Sequence, residues 1–194
     1  MEYNSQLKVN DEIFDKIKFI DVQNHLVLKP IFAGALDEEA QDNEILLYSA
    51  ICNSPEIKRF LPTVFADNKI AAKKILFDFV AKMLLKQCLF YVFRFKENSL
   101  PIGYINLNTP ISNTGLNDWS LDFWIASFMS GKGLMAASLQ ALLIHLQTNL
   151  VPIVYAQVDM QNVRSIKTLE SVGFGKLNES LKDKIRWYGV RLNY

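Results

Sequence analysis

Hydrophobic spacing changes period several times along this chain, and each change marks an element. Between Trp119 and Ala126, Leu121, Phe123 and Ile125 alternate with Ser120, Asp122 and Trp124, a period of two that predicts a strand. From Leu134 to Leu150 the chain is apolar nearly all round and holds neither Pro nor Gly, which predicts a helix buried on more than one side. Ser130-Gly131-Lys132-Gly133 separates the two. Upstream, a leader runs to about Asn24, and His25 to Ile31 reads as a first strand. A helix follows from about Leu36, with Glu38, Glu39, Asp42 and Glu44 placed early, where the helix dipole favours negative charge. Asn53-Ser54-Pro55 breaks it, because proline cannot continue a helix. Asp67 is placed to cap a second long helix, whose Ile75, Leu76, Phe79, Val80, Met83 and Leu84 form a wide apolar stripe. Cys88 to Lys96 and Pro101 to Thr109 predict two strands around a turn at Glu97-Asn98-Ser99, and Asn113-Thr114-Gly115 reads as a loop. Pro152 to Asp159 predicts a strand, and Asn162 to Val172 a helix that Gly173 stops. Phe174 to Leu181 and Ile185 to Asn193 read as a terminal hairpin turned at Asp183.

That order predicts a mixed α+β fold. It is a central, mostly antiparallel twisted sheet of about seven strands, with a late βαβ unit and flanking helices. No repeat or internal linker interrupts it, so residues 1–194 read as one domain with a leader over 1–24.

Composition narrows the function classes. Half of the 194 residues are hydrophobic and 21% are charged, which describes a globular chain with a sizeable core. A net charge of +1 makes no case for nucleic acid or a membrane surface as partner. Cys52 and Cys88 read as buried free thiols of a reducing compartment. The polar, acidic start is not a secretory signal, and no apolar run is long enough to span a bilayer, so the expected location is cytoplasmic.

The chemistry then rests on few residues. His25 and His145 lie far apart without a Cys or His at ligand spacing, so no metal site is expected. A Walker A loop needs Gly-Lys-Ser/Thr, whereas here Gly133 follows Lys132. Gly131-Lys-Gly133-Leu-Met-Ala136 does fit a dinucleotide fingerprint, which keeps a nucleotide-dependent oxidoreductase as an alternative. After Asp159, however, only one helix and a hairpin remain. Whatever the ligand, a glycine turn opening a helix offers free backbone N–H groups and the positive end of a dipole to an anion.

A second motif gives that anion site a context. Met160 to Phe174 (MQNVRSIKTLESVGF) resembles the Asn-x-x-Ser…Gly-Phe segment of the GNAT acetyltransferases. It looks most like the branch of the ribosomal-protein N-terminal acetyltransferases, the RimJ/RimL type. That branch's phosphate loop, Gln/Arg-x-x-Gly-x-Gly/Ala, is matched by Ser130-Gly131-Lys132-Gly133-Leu134-Met135. The resemblance runs element by element from Leu26 to the hairpin, and its specific part is the two motifs at the right separation.

It implies the GNAT fold and acetyl-coenzyme A as donor. Pantetheine would lie between two splayed strands against the backbone of Phe123, Ile125 and Ala126. The pyrophosphate would sit on the amides from Gly131 to Met135, with Ser130 and Lys132 beside it. Asn162 would bond the pantetheine arm and Ser165 would lie near the thiol. From the strand pattern itself, Asp118, Ser120 and Asp122 share one face, where either carboxylate is placed to take a proton from the acceptor amine, directly or through water, with Asp122 and Ser120 as the candidate catalytic residues. The implied activity is acetyl transfer to a primary amine, in first place a protein N-terminal α-amine, by a monomer or homodimer. A small-molecule amine as acceptor, and a module that binds acyl-coenzyme A without turnover, are the alternatives. The chain departs from the family pattern at Ser130 (Gln/Arg), Met135 (Gly/Ala), Ser120 (Glu), Asp122 (Gly) and Leu169 (Tyr). Plainer roles exist for each candidate: a tight turn for the glycines, an N-cap for Asn162, a back-bonded helix hydroxyl for Ser165, and packing for Trp119 and Trp124.

Overall fold

The computed structural model describes residues 19–22, 26–31, 38–98, 100–110 and 118–192. The leader up to residue 18, His25, the helix start at Leu36 and the loop at Asn113-Thr114-Gly115 lie outside the described residues. The strands are β1 (Ile20–Val22), β2 (Leu26–Pro30), β3 (Cys88–Phe95), β4 (Pro101–Asn108), β5 (Trp119–Ile125), β6 (Ile153–Asp159), β7 (Gly175–Ser180) and β8 (Ile185–Arg191). The helices are α1 (Glu38–Cys52), α2 (Pro55–Phe60), α3 (Lys69–Leu84), α4 (Leu134–Thr148) and α5 (Val163–Ser171). One sheet runs in the order β1-β2-β3-β4-β5-β6-β8-β7. It has eight strands among the described residues rather than seven, because β1 forms at the end of the segment read as a leader.

Neighbouring strands are antiparallel except β5 and β6. Those two are parallel, as a βαβ unit with α4 as crossover requires. Their register holds only at Trp119↔Val154 and Ser120↔Tyr155. Beyond Ser120 the strands diverge and leave a gap in the sheet.

Aromatic packing anchors the near side of that gap. Trp124, read as a packing ring, is buried, and the rings of Tyr48 (α1), Phe79 (α3), Phe90 (β3) and Tyr104 (β4) have centroids 5.5–6.5 Å from its own. Its indole N–H donates to Cys52 Sγ at 3.1 Å. β5 is therefore covered on both faces, which a period of two alone does not reveal. Cys52 and Cys88 are both free and buried, and burial pushes each thiol up to about 12.

Three local readings change. Asn68, not Asp67, caps α3, its side chain accepting from Ala71 N at 2.9 Å, while Asp67 accepts from Asn68. Leu84 at the end of α3's expected stripe is exposed, and Leu76, Phe79 and Met83 carry the packing. Pro55 stops α1 and also opens α2, where its fixed φ and missing N–H suit the first turn and Ser54 caps it through Ile57 N at 3.1 Å. Among the described residues, no helix is long and apolar enough to cross a membrane.

Candidate active site

The gap between β5 and β6 opens into a cleft of about 590 Å³. Both sequence motifs line it: Ser130 to Met135 on one side, and Asn162 with Ser165 on the other. Phe123 and Ile125 form its strand wall.

The wall follows from strand alternation. Ala126 N donates to Ile102 O at 2.8 Å, so the peptide groups of Ala126 and, two residues back, Trp124 turn towards β4. Those of Phe123 and Ile125 consequently turn towards the gap, where β6 has moved away. An extended ligand rich in amides finds unpaired donors and acceptors there. Ala126 itself does not line the cleft, because its N–H is committed to the sheet.

The loop has the geometry of an anion site. Gly131 and Gly133 have φ of +78° and +73°, the left-handed region that costs other residues energy. Gly133 caps α4 with no side-chain bond, and the first intrahelical bond runs from Ala137 N to Gly133 O at 3.1 Å. The N–H groups at the start of α4, from Leu134 to Ala136, thus precede the helical ladder at the cleft wall. Lys132 is exposed, with Nζ 3.7 Å from Met129 Sδ. A Cβ at either glycine would meet nothing within 4 Å, so the protein itself leaves that space to a ligand.

Gly133→Val is accordingly expected to separate folding from binding. The left-handed backbone costs about 1–2 kcal/mol of stability for a residue with a Cβ. The branched side chain also fills the anion site, so the Kd for coenzyme A should rise by roughly 100-fold or more, a larger loss of about 2.7 kcal/mol. Denaturant unfolding and calorimetric titration measure the two losses. Equal losses would reduce the loop to a structural turn.

Asn162 has a double position. Its side-chain oxygen caps α5 by accepting from Ser165 N at 3.2 Å, and the residue also lines the cleft. The cap uses its carbonyl and leaves its amide donors available. Ser165 is half-buried. The hydroxyls of Thr168 and Ser171 back-bond to Arg164 O (3.0 Å) and Thr168 O (2.7 Å), but among the described residues Ser165 Oγ has no such bond. Its hydroxyl is free to serve the cleft.

A smaller cavity of about 40 Å³ adjoins the cleft and shares Phe60, Leu61, Phe123, Asn162 and Ser165 with it. Asp122 lines it, and so does Leu169, so no tyrosine hydroxyl is available there. Burial pushes the Asp122 carboxyl above its ordinary range, partly opposed by hydrogen bonds from Asn106 and Asn108. Ser120 is buried beside it, accepting from Asn108 Nδ2 at 3.4 Å, and lines neither cavity. Glu56, Ile57, Phe60 and Leu61, at and just beyond α2, contribute to the cleft and were not foreseen as site residues. α2 is tied to α5 by the Glu56–Arg164 ion pair at 2.8 Å and by a hydrogen bond from Arg59 to Gln161.

The comparisons with known proteins follow this geometry. The fold is similar to RimL, a ribosomal L7/L12 α-N-protein acetyltransferase solved with coenzyme A (TM-score 0.71, 17% identity, covering 90% of this chain and 98% of that one). It is also similar to the ribosomal-protein-S5-alanine acetyltransferase from Vibrio fischeri (0.66, 15%, 91% and 97%). A third is aminoglycoside acetyltransferase AAC(6′)-Ib, also solved with coenzyme A (0.64, 17%, 86% and 94%). Among curated proteins, none matches the sequence. The sequence profile of the acetyltransferase (GNAT) domain matches residues 37–175. That match runs from α1 to the first residue of β7, through every element that builds the cleft, and the chain therefore belongs to the GNAT acetyltransferase family.

Proposed function

We propose that this enzyme transfers an acetyl group from acetyl-coenzyme A to the α-amine of a protein N-terminus, by direct attack in a ternary complex. The observation that carries the reading is the meeting of three features in one cleft: an uncapped helix N-terminus behind two left-handed glycines, an unpaired strand edge, and the start of α5. The first suits a pyrophosphate, the second an extended amide-bearing arm, and the third the thioester end.

In this reading Phe123 and Ile125 hold the arm through their backbones, and Gly131 to Met135 hold the phosphates. Asp122 faces the acceptor from the adjoining cavity and takes the amine's proton. The neutral amine then attacks the thioester carbonyl, the C–S bond breaks, and the proton shed by the attacking nitrogen passes through the Ser165 hydroxyl to the departing thiolate, so that Ser165 regains one proton as it gives the other. Backbone N–H groups of β5 stabilise the developing oxyanion. An α-amine, with a pKa near ~8, needs less help to become neutral than a lysine near ~10.4, which suits a site with one half-buried carboxylate as its base. Two structural neighbours, one named as an α-N-protein acetyltransferase and one as a ribosomal-protein-S5-alanine acetyltransferase, support a protein as acceptor.

The test pairs binding with turnover. Acetyl-coenzyme A is expected to raise the melting temperature and NAD to leave it unchanged, because a ligand of the folded state alone adds about 2.7 kcal/mol at ~100 times its Kd. Turnover is expected with N-terminal peptides and not with polyamines or aminoglycosides. A shift with NAD alone would defeat the whole reading. Turnover confined to polyamines or aminoglycosides would defeat the acceptor class. Binding without any turnover would point to a non-catalytic module.

A further inference from the structure

β4 carries two asparagines, Asn106 and Asn108, within an otherwise apolar strand. Register places them opposite Asp122 and Ser120 of β5, so all four side chains share one face of the sheet, the face on which Tyr104 and Trp124 stack. Carboxamides in such a place cost desolvation and need partners. Asn106 Nδ2 donates to Asn108 Oδ1 at 3.0 Å and reaches Asp122 Oδ2 at 3.5 Å. Asn108 Nδ2 reaches the same Oδ2 at 3.3 Å and Ser120 Oγ at 3.4 Å. Both amides thus converge on one oxygen of Asp122. Asn106 is buried, yet its Oδ1 has no partner among the described residues, so within them this group does not satisfy all its own polar atoms.

We propose that Asn106 and Asn108 form a clamp that fixes Asp122 by Oδ2, keeps it ionised, and presents Oδ1 to the acceptor amine. The proposal rests on the acetyl-transfer reading of the cleft and adds two positioning residues to it. At 3.3–3.5 Å the bonds to Oδ2 are long, so they orient and polarise the carboxylate more than they bind it. N–H donors aimed at a carboxylate favour its charged form, against a burial that favours the neutral one. No cation helps. The residues lining Asp122's cavity from α5, from β6 and from the end of α2 include one other ionisable group, Asp159. Its Oδ1 is engaged by Gln161 N at 2.7 Å. On the α1 side Glu44 is paired with Arg94. The asparagines are then the groups that pull this carboxylate towards its charged form, against burial.

The experiment is the pH dependence of kcat/KM for wild type, Asn108→Ala and Asn106→Ala, with the Asp122 carboxyl titrated by ¹³C NMR in each. Losing a donor is expected to move the acid limb and the Asp122 titration together to higher pH. The ratio of activity at low pH to activity on the alkaline plateau should fall about fivefold, the equilibrium worth of one hydrogen bond. Plateau activity should change much less. Asn108 is half-buried, so its variant keeps the test available if Asn106→Ala does not fold. A uniform loss of rate at all pH with an unmoved limb would overturn the clamp and leave a packing role. So would an unchanged Asp122 titration, which is read in the protein alone and decides the matter even if no acetyl transfer is found.

Discussion

Asp122→Asn is expected to lower kcat/KM by about 10²- to 10⁴-fold, the span of general acid–base catalysis, without lowering the melting temperature at neutral pH. The rate falls because the replacement cannot take a proton. It keeps the shape of the side chain and an oxygen for Asn106 and Asn108 to bond. Stability should hold or rise because burial raises the Asp122 carboxyl above its ordinary 3.8. A group that binds its proton more tightly in the folded state contributes most below its unfolded pKa. That contribution is lost as pH rises through the folded value. The wild type therefore carries an ionised, partly desolvated carboxylate at neutral pH, and the amide removes that cost. The advantage of the variant should appear above pH 3.8 and vanish in more acid solution, where Asp122 is protonated in both states. Thermal unfolding across pH beside steady-state kinetics checks both halves. Wild-type turnover would remove Asp122 from the chemistry, and a lower melting temperature at neutral pH would make it a structural carboxylate.

The second large effect concerns the scaffold. Arg94→Ala is expected to cost about 3–5 kcal/mol of unfolding free energy. Arg94 on β3 pairs with Glu44 on α1, and the two side chains are only 15% and 8% exposed. Removing the guanidinium leaves a buried carboxylate without its countercharge, which costs far more than the pair contributes intact. One turn beyond Glu44, Tyr48 packs on Tyr104 at 5.0 Å and donates to Val64 O at 3.1 Å, so loosening α1 also loosens the aromatic wall behind the cleft. Urea unfolding should show a lower midpoint with an unchanged slope. Adding Glu44→Gln should recover part of the loss, since a neutral amide needs no cation. A loss below about 1 kcal/mol, the range of exposed pairs, would show the bridge to be ornamental.

The part of the molecule most legible in sequence was the run from β5 to α5. There the period switches from two to helical and back, and Gly131, Gly133 and Asn162 punctuate the switches. Those residues do line one cleft. What stayed hidden was short or depended on a partner. Three residues of β1 show no period, and their strand exists only through β2. α2 was concealed because Ser54-Pro55 was read only as a stop, although Ser before Pro is also an N-terminal signal. Phe60 and Leu61 went unseen with it. Asn106 and Asn108 fall in the run Pro101 to Thr109, which was read only as a strand, with no role for either. Only the register of β4 on β5 turns them towards Asp122.

The two-rung seam between β5 and β6 has a mechanical consequence. Residues 20–125 hold the ladder from β1 to β5, and residues 153–191 hold β6, β8 and β7. The backbone bonds of the sheet hardly cross from one block to the other. The β6–β8–β7 block can open as a subunit of the fold without breaking a rung between β2 and β5, and slow amide exchange in one block need not imply it in the other. In the proposed reading, a ligand lying from Phe123 to Asn162 takes the place of the missing rungs. Occupancy is then expected to couple the two blocks into a single cooperative sheet, which would make the donor substrate a structural member of the enzyme that consumes it.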